Sequence, residues 1–299
     1  MPKHFVGIDI DVFKTHIDLS QKTYADSLPV DSPRSPIEVP LNRNVLQEED
    51  KSKILSESEA TQYRSLLGTL AHLRHTRIDL KFALSFFGRG NREPTDRMYR
   101  LLYRTTQYAK STANLGIRIP VKYASHFILT AWSDASLGSY INHAQEGFII
   151  CVNDVPISWR SNKQERVCHS SVKAEADALH SCIDHSILLM YFIHQLKCTV
   201  DATIFSDSLD LIKLLSSDHP HPRERHMLIQ LREMQKRLAL SDKEVKKLVL
   251  PLLSTQDMFQ FYSDSPISLR HIAGPTNPAD AFTKPVDVSL LLPFMTKVL

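Results

Sequence analysis

The 299-residue chain has no run of about 18 apolar residues, which excludes a membrane-spanning helix. Its N-terminal residues, Met1-Pro-Lys-His-Phe-Val-Gly-Ile-Asp, include an acid and lack the apolar stretch of a signal peptide. No Cys-x-x-Cys pair is present; Cys151, Cys168, Cys182 and Cys198 lie far apart and read as reduced, partly buried thiols. No serine sits in a glycine-flanked elbow, so Ser170 and Ser171 read as the cap of a helix rather than as nucleophiles. What is left is the expectation of an intracellular chain, 42% hydrophobic, able to bury a core and long enough for two domains.

Charge is scarce overall but concentrated locally. Against a net charge of +3, residues 61–120 alone hold eleven Lys and Arg and three acids, a local excess of +8. Such a basic block suits a protein that grips a phosphate backbone.

Residues 1–28 read as strand, turn, strand and short helix, with strands at 5–10 and 16–20 and a helix over 21–28. Prolines at 29, 33, 36 and 40 make 29–55 a linker or extended surface strap. Three helices follow. The first opens on the capping box Ser56-Glu-Ser-Glu59, the second covers about 77–87 up to Gly88, and the third starts near Pro94-Thr-Asp. The third turns Met98, Leu101, Leu102, Thr105 and Tyr108 inward, with Arg97, Arg100 and Arg104 on its other side. That arginine strip reads either as a solvated face or as a contact for nucleic-acid backbone. From residue 120 the pattern becomes three short strands (127–133, 146–152, 156–161), a long helix over 171–195 and a strand at 202–205. Helices at 209–215 and 222–240, a strand at 267–272 and a C-terminal helix opening at Pro278 complete the pattern, with 241–265 unassigned.

Four acids stand where these elements end or begin: Asp134 in Trp132-Ser-Asp-Ala, Glu175 in Val172-Lys-Ala-Glu-Ala, Asp207 in Phe205-Ser-Asp-Ser and Asp280 in Pro278-Ala-Asp-Ala. Taken singly they have plainer readings. Asp134 and Asp207 fit turn residues, Glu175 a solvated helix residue, and Asp280 a carboxylate at a helix dipole. Together, carboxylates this close to apolar runs are costly to desolvate unless a cation compensates them. A pair of Mg²⁺ ions is the natural compensator, and phosphodiester hydrolysis the natural use.

Three antiparallel strands, a long helix, a fourth strand, helices, a fifth strand and a last helix resemble the ribonuclease H-like α/β fold. In that fold a mixed five-stranded sheet carries flanking helices. Here a mostly helical region precedes it. The order places Asp134 on the central strand, Glu175 in the first turns of the long helix, Asp207 at the end of the fourth strand and Asp280 in the first turn of the last helix. Strand ends are where open α/β sheets bind ligands.

The motifs carry a family resemblance. Tyr63-Arg-Ser-Leu-Leu-Gly-Thr-Leu and Thr76-Arg-Ile-Asp-Leu-Lys-Phe-Ala resemble the block that follows the polymerase palm in copia-type retrotransposon polyproteins. Trp132-Ser-Asp-Ala-Ser, Ile157-Ser-Trp-Arg-Ser-Asn-Lys-Gln, Ser170-Ser-Val-Lys-Ala-Glu-Ala and Ala279-Asp-Ala-Phe-Thr-Lys-Pro resemble that family's ribonuclease H segment, in the same order. Gly7-Ile-Asp-Ile with Leu19-Ser-Gln-Lys-Thr-Tyr resembles the thumb of those reverse transcriptases.

Over residues 5–285 this resemblance implies a thumb remnant at 1–28, a proline-rich linker at 29–55, a basic thumb/connection region at 56–120 and a ribonuclease H-like domain at 121–299. It implies hydrolysis of RNA in RNA–DNA hybrids, with Asp134, Glu175, Asp207 and Asp280 holding two Mg²⁺, or Mn²⁺ in their place. It also implies the rest of the polyprotein as a partner, and residence in the cytoplasm or a virus-like particle. The Tyr-x-Asp-Asp turn of the palm is absent, so no polymerase activity is expected of this chain. A decayed element copy that folds and binds nucleic acid without cutting is the alternative reading. Asp207 is followed by serine where the family often has asparagine. Lys163, Gln164 and Arg166 are candidates for contacting the hybrid. His271 invites the role of the histidine that assists product release in some cellular ribonucleases H, with a structural role as the alternative.

Overall fold

The computed structural model describes residues 3–42, 50–121, 124–137, 144–165, 168–220, 222, 225–238, 267–285 and 288–298. The chain separates into two compact units, Met1–Lys122 with Lys284–Leu299, and Tyr123–Thr283.

The first unit holds β1 (His4–Phe5), β2 (Ile8–Val12), β3 (His16–Ser20), α1 (Lys22–Asp26), α2 (Glu57–Ala71), α3 (Lys81–Arg89), α4 (Asp96–Ser111) and β4 (Leu115–Pro120). Strands β1 to β4 form an antiparallel sheet in chain order, and a short strand at Thr296–Lys297 pairs with β4. The β1–β2 reversal uses positive φ at Val6 (50°) and Gly7 (76°), the backbone that a two-residue hairpin turn demands. Asp18 on β3, only 2% exposed, is held by Arg118 directly opposite on β4, through Nε at 2.8 Å and Nη2 at 2.7 Å. Strand β4 is not among the predicted elements, although Leu115, Ile117 and Ile119 alternate along it with Gly116 and Arg118.

Helix α2 begins at the expected capping box. Ser56 Oγ accepts from Glu59 N–H, and Glu59 Oε2 accepts from Ser56 N–H at 2.8 Å. Behind it, Tyr63, Leu70, Leu73, Phe87 and Leu102 are buried in one core. At the edge of that core lies an ion pair. Arg77, 1% exposed, grips Asp79 through Nε (3.0 Å) and Nη2 (2.7 Å) and donates to the carbonyls of Ala109 (3.2 Å) and Thr112 (3.1 Å). Tyr108 donates its hydroxyl to Asp79 Oδ2 at 2.8 Å. Burial pulls the Arg77 pKa down, but the Asp79 charge and hydrogen bonds outweigh it and raise it above the ordinary value.

The proline-rich stretch lies along α4 as a strap. Lys110 Nζ donates to the carbonyls of Leu28 (2.9 Å) and Val30 (2.8 Å), and Arg104 Nη1 to that of Val39 (3.2 Å). Thr105 Oγ1 donates to Pro40 O at 2.8 Å. These side chains satisfy carbonyls that an irregular segment would otherwise bury unpaired.

The second unit holds β5 (His126–Ser136), β6 (Gln145–Val152), β7 (Val155–Lys163), α5 (Ser171–Gln195), β8 (Thr199–Ser206), α6 (Leu209–Leu215), α7 (Met227–Arg237) and β9 (Ile267–His271). The sheet order is β7-β6-β5-β8-β9, antiparallel across β7-β6-β5 and parallel across β5-β8-β9. This is the ribonuclease H-like arrangement, with the longest helix, α5, starting where the sequence places it. One face of the sheet, with Leu129, Ala131, Phe148 and Ile204, packs against Leu179, Ile183 and Leu231 of the helices. Among the described residues no helix is long and apolar enough to cross a membrane.

Two expectations change. The helix predicted at 222–240 is ordered as α7 from Met227, with 239 and 240 outside the described residues, as is all of 241–265. The C-terminal helix predicted at Pro278 is a 3₁₀ turn, Pro278–Phe282, followed by two further 3₁₀ turns, Val288–Leu290 and Leu292–Phe294. Pro285 supplies the reason: it disfavours helical backbone at Lys284 and lacks the N–H that an α-helix would use.

All four cysteines are free, and burial in the sheet and in α5 pushes Cys151 and Cys182 up to about 12. Both stay protonated at pH 8, so an alkylating reagent should modify at most Cys168 and Cys198 in the native chain and all four after denaturation. Intact-mass measurement would show this, and a third adduct on native protein would contradict it.

Candidate active site

Strand register brings the first two acids together. Strands β5 and β8 run parallel with Ser133 opposite Ser206, so Asp134 and Asp207 are the next residues along neighbouring strands. Asp134 is still within β5 and 2% exposed, and Asp207 follows the end of β8, half-buried. Two residues earlier, Trp132 and Phe205 stack with centroids 5.9 Å apart, which helps hold the two strands in register.

The third acid arrives on the turn at Pro278–Phe282. Asn277 builds that turn from both ends of its amide: Oδ1 accepts from Ala279 N–H at 3.1 Å, and Nδ2 donates to Ser133 O at 3.0 Å. Pro278 at the first position supplies the φ the turn needs. Gly147 on β6, directly opposite Asp134, gives the turn room to settle on the sheet. A Cβ there would stand 2.5 Å from Phe282 Cβ and 3.0 Å from Thr283 Cγ2. Thr283 then donates its hydroxyl to Asp134 Oδ2.

The outcome is a cluster in which one carboxylate oxygen from each of Asp134, Asp207 and Asp280 lies within 4.8 Å of the others. Asp280 is 7% exposed. Three carboxylates this close repel one another, and burial adds a desolvation cost to each. A divalent cation offsets both. An all-oxygen donor set suits Mg²⁺ or Mn²⁺ rather than a softer ion, so the residues present fit the metal expected.

Glu175 does not join this group. It is the fifth residue of α5, half-buried. Leu129 and Ala131 of β5 face the helices, so strand alternation puts Asp134 on the opposite face.

The remaining candidates scatter. His271 ends β9, exposed, opposite Ser206, the residue before Asp207. Lys163 ends β7 and is exposed, while Arg166 lies outside the described residues. Gln164 is turned inward rather than toward a ligand. It is 4% exposed, donates to Ala174 O at 2.9 Å and accepts from Cys168 Sγ at 3.0 Å, tying the β7–α5 loop to the helix. Arg104 is spent on the strap rather than free for backbone contact. Arg100 pairs with Asp96 at 2.9 Å, and Arg97 is half-buried with its N–H on Ser52 Oγ. These three arginines belong to the first unit.

Sequence reasoning missed Asn277, Thr283 and Gly147. An Asn-Pro pair opening a turn and a lone glycine inside an apolar strand were legible signals of a tight cap and a close backbone approach. Gly147→Ala should cost about 1–3 kcal/mol through overpacking. In a unit of this size that lowers its melting temperature by about 2–4 °C per kcal/mol. Calorimetry checks this, and an unchanged melt would mean the turn yields without strain.

No protein-family model matches the chain. It is 26% identical over 242 residues to the retrovirus-related Pol polyprotein from transposon RE1 of Arabidopsis thaliana, an alignment covering 76% of this chain and 16% of that polyprotein. To the corresponding polyprotein from transposon RE2 it is 27% identical over 175 residues, 57% of this chain and 12% of the relative. The chain thus spans less than a fifth of either relative's length. Among solved structures, RNase H1 from Halobacterium salinarum aligns with 52% of this chain and 93% of its own, at 19% identity and a TM-score of 0.33. Both of these relatives are retrovirus-related Pol polyproteins of transposons, in keeping with the resemblance carried by the motifs around the acids.

Proposed function

We propose that the second unit is a ribonuclease H that cuts the RNA strand of RNA–DNA hybrids in a divalent-metal-dependent reaction. The observation that carries this reading is the meeting of Asp134, Asp207 and Asp280 at the ends of β5 and β8, in a homologue of transposon Pol polyproteins. These three carboxylates are proposed as metal ligands, with Glu175 as a fourth that approaches from α5. Bound there, two Mg²⁺ would supply an activated water and stabilise the leaving 3′ oxygen.

The protein's own part is to hold the ligand oxygens in place before substrate arrives. Strand register, the Asn277 cap and the Gly147 contact do this with little flexible chain. Lys163 and His271, both exposed, are proposed to face the hybrid, whose A-form shape and 2′-hydroxyls are the features a protein reads without regard to sequence. The first unit, with its helices and basic residues, is proposed as the thumb/connection portion of a reverse transcriptase. Polymerisation is not expected from this chain, which lacks the Tyr-x-Asp-Asp turn.

The test is incubation of the purified chain with an end-labelled hybrid in Mg²⁺. Internal cuts in RNA, halted by EDTA and absent on single-stranded RNA or duplex DNA, support the enzyme. Hybrid binding without cleavage in either Mg²⁺ or Mn²⁺ would support the decayed copy instead.

A further inference from the structure

Thr283 closes the turn that carries Asp280 and touches the strand that carries Asp134. Its backbone N–H donates to Asp280 O at 3.2 Å, and its hydroxyl donates to Asp134 Oδ2. Asp280 O lies 3.2 Å from the same hydroxyl. A hydroxyl has one proton, so it serves one acceptor at a time, and an ionised carboxylate is the stronger one. The residue is 4% exposed, so water does not compete for that proton.

Its shape matters as much as its hydroxyl. Threonine is β-branched, with few χ1 choices. Its Cγ2 methyl occupies the space over Gly147, 3.0 Å from where a Cβ would stand. With the methyl fixed on that side, the hydroxyl is directed to Asp134. Glycine on β6 and threonine on the turn therefore act as a matched pair.

We infer that Thr283 is a positioning residue that couples Asp134 to Asp280 and so sets the affinity of the acidic cluster for a divalent cation. This rests on the proposed metal site. Thr283 ties one oxygen of Asp134, fixes the plane of that carboxylate and holds the Asp280 turn against the same strand. Partners that orient metal ligands in this way are worth about 10–100-fold in metal affinity.

The full chain, Thr283→Val, Thr283→Ser and Thr283→Ala are melted across a Mn²⁺ and a Mg²⁺ titration without nucleic acid. The same variants are assayed for hybrid cleavage against cation concentration. Thr283→Val keeps the shape and loses the hydroxyl, so its cation midpoints should rise about tenfold in both titrations. Its cleavage rate should return toward that of the parent at saturating cation, and Thr283→Ser, which keeps the hydroxyl but loses the methyl that aims it, should fall between the parent and Thr283→Val. A parent-like midpoint for Thr283→Val would overturn the inference, as would loss of folding in both the Val and Ala variants, which would assign Thr283 to folding alone. A parent that melts identically with and without cation would remove the metal site itself. A parent that responds while Thr283→Val matches it removes only the coupling.

Discussion

Asp134→Asn is expected to abolish hybrid cleavage while leaving the fold intact. The substitution keeps the size of the side chain and an oxygen that can accept from Thr283, so the link to the turn survives. What it removes is charge at the centre of the cluster, on the strand between β6 and β8. If metal held there stabilises the transition state by several kcal/mol, its loss amounts to about a thousandfold or more at 1.36 kcal/mol per decade. The accompanying stability change should have the opposite sign. Without metal, Asp134, Asp207 and Asp280 repel one another, so neutralising one should leave the metal-free melting temperature unchanged or higher. Single-turnover cleavage and a calorimetric melt in EDTA test both halves. A variant that cuts at the parent rate would refute the assignment of Asp134. One that fails to fold would place the residue in the structure rather than the chemistry.

Arg77→Met should be the most damaging single change to the first unit. Asp79 has no exposed side-chain surface and faces Arg77 through two hydrogen bonds. Removing the guanidinium leaves a buried carboxylate with, among the described residues, only the Tyr108 hydroxyl facing it, and takes a donor from the carbonyl of Ala109, while that of Thr112 keeps the Leu115 N–H at 3.0 Å. Breaking one side of such a pair typically costs about 3–5 kcal/mol. At the few degrees per kcal/mol usual for a unit of this size, the first unit should melt roughly 10 °C lower. Replacing both partners, Arg77→Met with Asp79→Leu, should recover much of the loss, because two apolar groups no longer need desolvated charges to match. Calorimetry separates these outcomes, and equal damage from the single and double variants would show that the lost hydrogen bonds to the α4 end, rather than the ion pair, carry the stability.

How far the chain could be read depended on whether a signal was local. The capping box at Ser56, the spacing along 171–195 and the short β-rich runs of β5, β6 and β7 are each contained within one element, and each is visible in the residue order. β4 was missed although Leu115, Ile117 and Ile119 alternate along it, and its partners, β3 and Thr296–Lys297, lie far upstream and far downstream. The supposed C-terminal helix was misread for a local reason that was present but underweighted, the second proline at 285. Arg104 looked like part of a basic face because helical periodicity cannot show a strap lying across it. Gln164 looked like a surface contact because nothing local reports that Cys168 and Ala174 close over it.

By itself, the sequence determined the element order of the second unit, the family of its homologues and the identity of the acids, because motifs, caps and periodicities are properties of short stretches. Only the tertiary structure decided which acids meet. The parallel register of β5 with β8 sets Asp134 beside Asp207, and the missing Cβ of Gly147 lets the Asp280 turn approach. Glu175, in the first turns of α5, is not among the three whose carboxylate oxygens lie within 4.8 Å of one another. Register and close approach are relations between residues up to a hundred and more positions apart, and a linear chain does not display them.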